Sequence, residues 1–367
     1  MQKAAGLRSL AVAYPPTIRT NDYWRKRYPE IVADAEKRSL AKLWSLNQEK
    51  DREPNIFEQE MRPYLEDTFR GAKERRVVKP GESALQYEVR AAKDALAAAG
   101  MEPKEVDVII SVSFWPDNPG FGNGPWLARE LGVDCAAWNM ETCCSGAMTS
   151  MQVGAALVKS GTHRNALVVN SCLYSRATET EDTLSWFLGD GAGAAVIGEV
   201  KEGRGILGSK TIHTAETIEA FVCDWRSDPA FRQRLHIEMS RGSGSLKKGS
   251  DEYLLTCCGG AAEQAGVKIG DIDFFIFNTP TAWFSSFATR ALGVDPAKTV
   301  NGYPLYANNG PALTMGNLHL AARTGKLRPD DLVLVYSIGS VSTAGAFVMR
   351  WGDVKLGPAP EPGVPEE

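Results

Sequence analysis

The stretch Gly146–Ser160, GAMTSMQVGAALVKS, reads as one helix stopped by Gly161, and it is apolar on nearly every side. A helix on a protein surface carries a single apolar stripe, so a helix of this kind must be buried, with other elements covering it on more than one face. Its neighbours in sequence supply those covers. The short strand Ala136–Met140 precedes it, and the apolar strand Ala166–Cys172 follows. Upstream, a helix Glu82–Ala99 closed by Gly100 leads into the apolar run Val106–Phe114 and a helix at Pro125–Leu131. Downstream, Gly189–Ile197 runs into another strand, with Gly205–His213 as its antiparallel follower.

The plan then repeats. After the polar, Gly-rich stretch Ser240–Ser250, read as a loop, come a helix Asp251–Ala265, a strand Ile272–Phe277, helices Ala282–Leu292 and Ala312–Thr324, and strands Leu332–Ile338 and Ala344–Trp351. Two similar βα halves predict an internally duplicated α/β architecture with sheets sandwiched between helix layers. The expected division is an N-terminal half over 1–200 and a C-terminal half over 201–355. The Glu-, Lys-, Arg- and Leu-rich segment at about 21–70 reads as two or three exposed helices inserted as a cap, and the tail 356–367, ending GPAPEPGVPEE, as disordered.

Charge and cysteine usage narrow the function. Lys plus Arg number 41 against 45 Asp plus Glu, with no basic stripe to follow a phosphate backbone, so nucleic acid is not an expected partner. No apolar run approaches the ~18 residues of a membrane helix, and the N-terminus lacks a signal-peptide pattern, so a soluble, cytoplasmic protein with no membrane contact is expected. Seven cysteines, with adjacent pairs at Cys143–Cys144 and Cys257–Cys258, suggest reduced thiols rather than a disulfide framework. There is no C-x-x-C or H-E-x-x-H, and the four histidines are scattered, so neither a metal nor a bound cofactor is expected.

The sharpest local feature is Glu141–Gly146, ETCCSG, lying between a strand and the buried helix. A cysteine at a helix N-terminus feels the positive end of the macrodipole and nearby unpaired amides, which lower its pKa and supply oxyanion donors. The glycines of GDGAGA, Gly189 to Ala194, precede a strand instead of linking strand to helix, so they are read as close backbone packing and not as a dinucleotide fingerprint.

Taken with Gly71–Val77 (GAKERRV), Phe187–Val196 (FLGDGAGAAV), Tyr306–Asn308 and Val335–Gly345, this turn resembles the thiolase superfamily, and within it the 3-oxoacyl-ACP synthase III group. The resemblance spans roughly residues 1–352, apart from the insertion at 21–70 and the region near 220–250. It implies a thiolase-like, internally duplicated αβαβα layered sandwich. It also implies that Cys144 is the nucleophile, because the family cysteine directly precedes a small residue and a glycine, here Ser145 and Gly146. The backbone amides of Cys144 and Ser340 would then form the oxyanion hole.

The family uses a histidine and an asparagine beside that cysteine. Asn308 stands at the asparagine position, but Asn278 stands where the histidine belongs. Asparagine can donate a hydrogen bond to a carbonyl or enolate oxygen, yet it does not titrate and cannot act as a general base. Trp283 replaces an arginine that contacts coenzyme A in the family, and Arg75 and Arg76 are substrate-phosphate candidates. Glu141 is read as a strand-end residue bonded to loop amides, and His319 as a packed helix residue.

The resemblance implies an acyltransferase that loads an acyl group onto Cys144 from acyl-CoA or from an acyl carrier protein (acyl-ACP), within polyketide- or fatty-acid-type specialised metabolism. Two alternatives stand beside it: a decarboxylative condensing enzyme working in spite of Asn278, and a non-catalytic partner subunit of a heteromeric ketosynthase. An acyl carrier protein as partner and a homodimer are implied by the resemblance alone.

Overall fold

The computed structural model describes residues 3–48, 53–218, 221–228, 232–239, 244–339 and 343–366. Its first half comprises β1 (Ala5–Ala13), β2 (Thr17–Thr20), α1 (Asn21–Arg27), α2 (Pro29–Gln48), α3 (Ile56–Met61), β3 (Glu74–Arg76), α4 (Ala84–Ala99), β4 (Val108–Phe114), α5 (Gly124–Leu131), β5 (Ala136–Asn139), α6 (Gly146–Lys159), β6 (Asn165–Leu173) and β7 (Asp190–Glu199). The second half comprises β8 (Gly205–His213), β9 (Phe221–Asp228), β10 (Arg232–Met239), α7 (Gly244–Gln264), β11 (Phe274–Phe277), α8 (Phe284–Leu292), α9 (Tyr303–Tyr306), α10 (Pro311–Arg323), β12 (Leu332–Gly339) and β13 (Thr343–Arg350), followed by two short strands, β14 (Lys355–Leu356) and β15 (Val364–Pro365).

The apolar helix α6 lies where its composition requires. With α10 it forms the central layer, its Met148, Met151 and Val158 packing with Met315 and Leu318. One sheet, ordered β14-β1-β7-β6-β4-β5, covers this layer with Val108, Ile110, Val168 and Ile197. The other, ordered β11-β12-β13-β8, covers it from the opposite side with Ile276, Val335 and Phe347. Helices α4 and α5 pack on the outer face of the first sheet, and α7 and α8 on that of the second. The five layers are helix, sheet, helix, sheet, helix, as expected for an αβαβα sandwich.

GDGAGA is a packing device. A β-carbon at Gly193 would run into Cβ and Sδ of Met315, 2.8 Å away, so the glycine lets α10 approach β7 closely. Asp190 in the same motif is fully buried and accepts from the amides of Val78 and Ser175 at 2.8 and 2.9 Å.

Several expectations need correction. Helix α7 starts at Gly244, inside the stretch read as a loop, and the antiparallel pair β9–β10 was not anticipated. The insertion forms three helices but is not merely exposed. Trp24 and Phe69 pack on Trp186, while Met61 and Leu65 pack on Trp283 and Tyr303. The tail is not loose along residues 355–366. β14 runs parallel to β1, β15 runs parallel to β2, and the Arg76 guanidinium donates to the carbonyl of Glu361 at 3.1 Å. Pro- and Gly-rich composition predicts disorder because it buries little apolar surface, but here ladder hydrogen bonds and arginine contacts supply the order instead. No helix among the described residues is long and apolar enough to cross a membrane.

Candidate active site

Between β5 and α6 the chain makes a single 3₁₀ turn, Cys143–Ser145, which delivers Cys144 to the N-terminus of the central helix. The turn is tight enough to force Cys143 to φ 52°, a left-handed conformation unusual for a residue with a side chain. Ala307, directly before Asn308, is at φ 51°. Strain of this kind persists only where packing over-determines it, and here both instances immediately precede a residue expected at the site.

Gly146 is required immediately after the turn, because a β-carbon there would collide with Val112 on β4. Cys144 itself is 7% exposed. Its sulfur opens on a cavity of about 380 Å³ that is also lined by Asn308, Leu188, Trp283, Phe284 and Ile338. Lys42, Phe57 and Arg70 of the insertion also line it, so the inserted segment reaches the cavity itself.

The helix N-terminus does not make this thiol acidic. Burial pushes the Cys144 thiol up to about 11, with the Glu141 carboxylate adding to the effect and a hydrogen bond from Tyr174 opposing it. The two atoms, Cys144 Sγ and Tyr174 Oη, lie 3.6 Å apart. Tyr174 follows β6 directly and is buried, with its ring edge-on to Phe114 at 5.5 Å. No motif or spacing points to this residue, since only a tyrosine's place in the folded sheet shows where its hydroxyl ends.

Asn308 keeps a polar atom for the cavity. Its Oδ1 accepts from the amide of Gly310 at 2.9 Å, and among the described residues no bond occupies Nδ2. Asn278 does not. Its Nδ2 donates to the carbonyl of Ile338 at 3.2 Å, its Oδ1 accepts from the Ile338 amide at 3.4 Å, and it is absent from the cavity wall. The side chain extends the β11–β12 ladder by one more rung, which ties Oδ1 and one of the two Nδ2 hydrogens to Ile338 and keeps the fully buried amide off the cavity wall.

The other expected residues divide. Trp283 lines the cavity, held edge-on by Phe57 of the insertion at 6.0 Å. Arg75 and Arg76 do not reach it. Arg75 is completely buried, donates to the carbonyls of Trp186 and Arg19 and to Asn21 Oδ1, and lies 4.6 Å over the ring of Trp24. Arg76 donates to the carbonyls of Pro15 and Glu361. Both guanidiniums are occupied by backbone carbonyls of this chain, which leaves them structural roles away from the cavity.

Ser340 lies outside the described residues, but its neighbour Gly339 sits against the carbonyl of Thr142 and the hydroxyl of Ser145. Glu141 accepts from the amide of Cys143 at 2.6 Å and is pushed up to about 7 by burial. His319 is buried on α10, its Nε2 3.3 Å from the carbonyl of Gly357.

A duplicated five-layer sandwich with a cysteine presented at the N-terminus of its central helix defines the thiolase-type class. Residues 138–215 match the family described as 3-oxoacyl-[acyl-carrier-protein (ACP)] synthase III, and residues 262–351 match its C-terminal domain. The beta-ketoacyl-[acyl-carrier-protein] synthase III of Symbiobacterium thermophilum is 31% identical over 296 residues, covering 78% of this chain and 88% of that protein. The chain belongs to the 3-oxoacyl-ACP synthase III family, whose named members are enzymes of the acyltransferase and condensing type.

Solved structures share the fold. The 3-oxoacyl-[acyl-carrier-protein] synthase III from Aquifex aeolicus superposes with a TM-score of 0.75 at 24% identity, covering 95% of this chain and 100% of that one. The priming β-ketosynthase from the R1128 polyketide biosynthetic pathway gives 0.78 at 20% identity, covering 96% and 97%.

Proposed function

We propose that this protein is an acyltransferase that takes an acyl group from acyl-CoA or acyl-ACP onto Cys144 as a thioester and passes it to an acceptor, in fatty-acid- or polyketide-type metabolism. The observation that carries the reading is Cys144 Sγ at the N-terminus of α6, opening on a largely apolar cavity. The first step forms a bond from Sγ to the acyl carbon and expels the donor's thiol. In the oxyanion hole read here, the Cys144 amide and the backbone at Ser340 receive the carbonyl oxygen. Asn308 Nδ2 is a side-chain donor on the same cavity, and we read it as the group that holds the thioester carbonyl or the acceptor.

Acyl transfer is favoured over decarboxylative condensation by the fate of Asn278. Stabilising an enolate calls for preorganised donors, and the Asn278 amide is committed to Ile338. We read residues 1–200 and 201–355 as the two duplicated halves, and the protein as a cytoplasmic homodimer joined along the β5 edge. Trp138 on that edge and the neighbouring Phe121 are 37% and 76% exposed.

Intact-protein mass after incubation with acyl-CoA and acyl-ACP panels tests the proposal. A one-to-one acyl adduct on the parent that is missing from Cys144→Ala supports it. No adduct with any donor would turn the reading to a non-catalytic partner subunit, and carbon dioxide release from a malonyl thioester would restore condensation.

A further inference from the structure

Resting on Cys144 as the nucleophile, we propose that the Tyr174 hydroxyl is the catalytic hydrogen-bond partner of its sulfur, filling the role left open where a histidine is missing. The geometry is specific. Tyr174 Oη lies 3.6 Å from Cys144 Sγ, and among the described residues this is the one hydrogen bond of that hydroxyl and the one side-chain bond of that sulfur. Of the two asparagines expected near the sulfur, Asn278 is bonded to Ile338 away from the cavity wall, and Asn308, its Oδ1 tied to Gly310, lines the cavity with no bond to the sulfur among the described residues. The Tyr174 ring is fixed by Phe114 on one side and by Cys172, Leu184 and Leu188 around it, so the hydroxyl has little freedom to turn away.

The chemistry follows from what each atom can donate. When Sγ attacks a thioester carbon, an S–C bond forms and the donor's own C–S bond breaks, its electron pair leaving on the donor sulfur. The proton lost by the Cys144 thiol ends on that departing sulfur. Between those events Sγ carries negative charge, and an O–H donor beside it stabilises the anion much more than it stabilises the neutral thiol or the thioester product, whose sulfur is a weak acceptor. Tyr174 stays protonated in this role, because burial and the neighbouring thiols raise its pKa well above the ordinary 10.

The titratable groups nearest the pair are Glu141 and Cys143 on the turn, Cys172 on β6 and Asp190 on β7, all acids. Lys42 and Arg70 of the insertion line the same cavity as cations. The Tyr174 hydroxyl is the side chain that hydrogen-bonds the sulfur and so favours the Cys144 anion against burial.

The test is Tyr174→Phe in the full-length protein, which keeps the ring and removes the donor. Two rates are measured from pH 6 to 9.5: acyl-adduct formation by intact mass, and iodoacetamide alkylation of the Cys144 peptide, with Cys144→Ala as blank. A hydrogen bond to a charged acceptor predicts that both rates fall about 10- to 100-fold, with the logarithmic pH profile displaced and still rising. Alkylation at the parent rate across that range overturns the proposal. If the phenylalanine variant does not fold, 3-fluorotyrosine at 174 offers a more acidic donor: faster alkylation at fixed pH supports the role, and an unchanged or lower rate overturns it. The alkylation arm needs no acyl donor. A protein that accepts no acyl group but slows its alkylation on loss of the hydroxyl counts against the proposed function alone, while equal acylation of parent and variant counts against Tyr174 alone.

Discussion

A buried thiol held near pH 11 is almost wholly protonated at neutral pH, so each polar atom within reach of Cys144 matters more than it would in an open cleft. Asn278 and Asn308 show how differently one residue type can be spent. Asn278 gives both ends of its amide to Ile338, so Asn278→Ala should cost about 1–3 kcal/mol of stability by leaving that backbone amide and carbonyl unpaired, with acyl loading changed only a few-fold. Urea unfolding beside single-turnover labelling checks this, and lost loading at unchanged stability would return Asn278 to the chemistry. Asp190 belongs to the same scale. Burial lifts its carboxyl from 3.8 to about 6, so the native state holds a proton that the unfolded chain has already released. Its contribution to stability is full at pH below 3.8 and is lost as pH rises to about 6, a difference on the order of 3 kcal/mol. Asp190→Asn should flatten that part of the stability profile, read from denaturation midpoints at pH 4 and pH 7. An unchanged slope would remove Asp190 from the account.

Among the elements, α6 and the inserted helices fix what the cavity can be. The start of α6 is pinned to β4 by the absence of a side chain at Gly146, where a methyl group would meet Val112. Gly146→Ala should therefore destabilise by about 1–3 kcal/mol through overpacking and shift the Cys144 turn, lowering acyl loading together with the melting temperature. A variant that loads normally and melts at the parent temperature would show that β4 yields to the added methyl. The insertion was legible as helical from its Glu, Lys, Arg and Leu spacing, but its contribution to the cavity was not. Phe57 and Arg70 reach the wall only because Met61 and Leu65 dock on Trp283 and Tyr303, contacts between segments far apart in sequence. Periodicity reports which face of a helix is apolar and carries no information on which partner covers it.

At the scale of the molecule, an all-round apolar helix, a repeated βα order and the ETCCSG turn were enough to give the layers and to place Cys144. What stayed hidden depended on polar groups finding backbone. Asn278 extending a ladder, Arg75 and Arg76 capping carbonyls and the tail pairing with β1 and β2 all satisfy hydrogen bonds that a sequence pattern does not record. The tail can be tested directly. Ending the chain after Asp353 removes β14, β15 and the Arg76 and Arg19 contacts to Glu361 and Glu366, and should lower the midpoint of unfolding while leaving far-ultraviolet circular dichroism close to the parent's. An unchanged midpoint would mean the strap only rests on the surface. The strap also orders events during synthesis. Strands β14 and β15, which cover one edge each of β1 and β2, are encoded after both halves of the duplicated fold, so on the ribosome each of those two strands keeps one edge bare until residues 355–366 emerge. The nascent chain can assemble most of its first sheet early, but that edge is shielded from pairing with a neighbouring nascent copy only once residues 355–366 have followed the rest of the fold out.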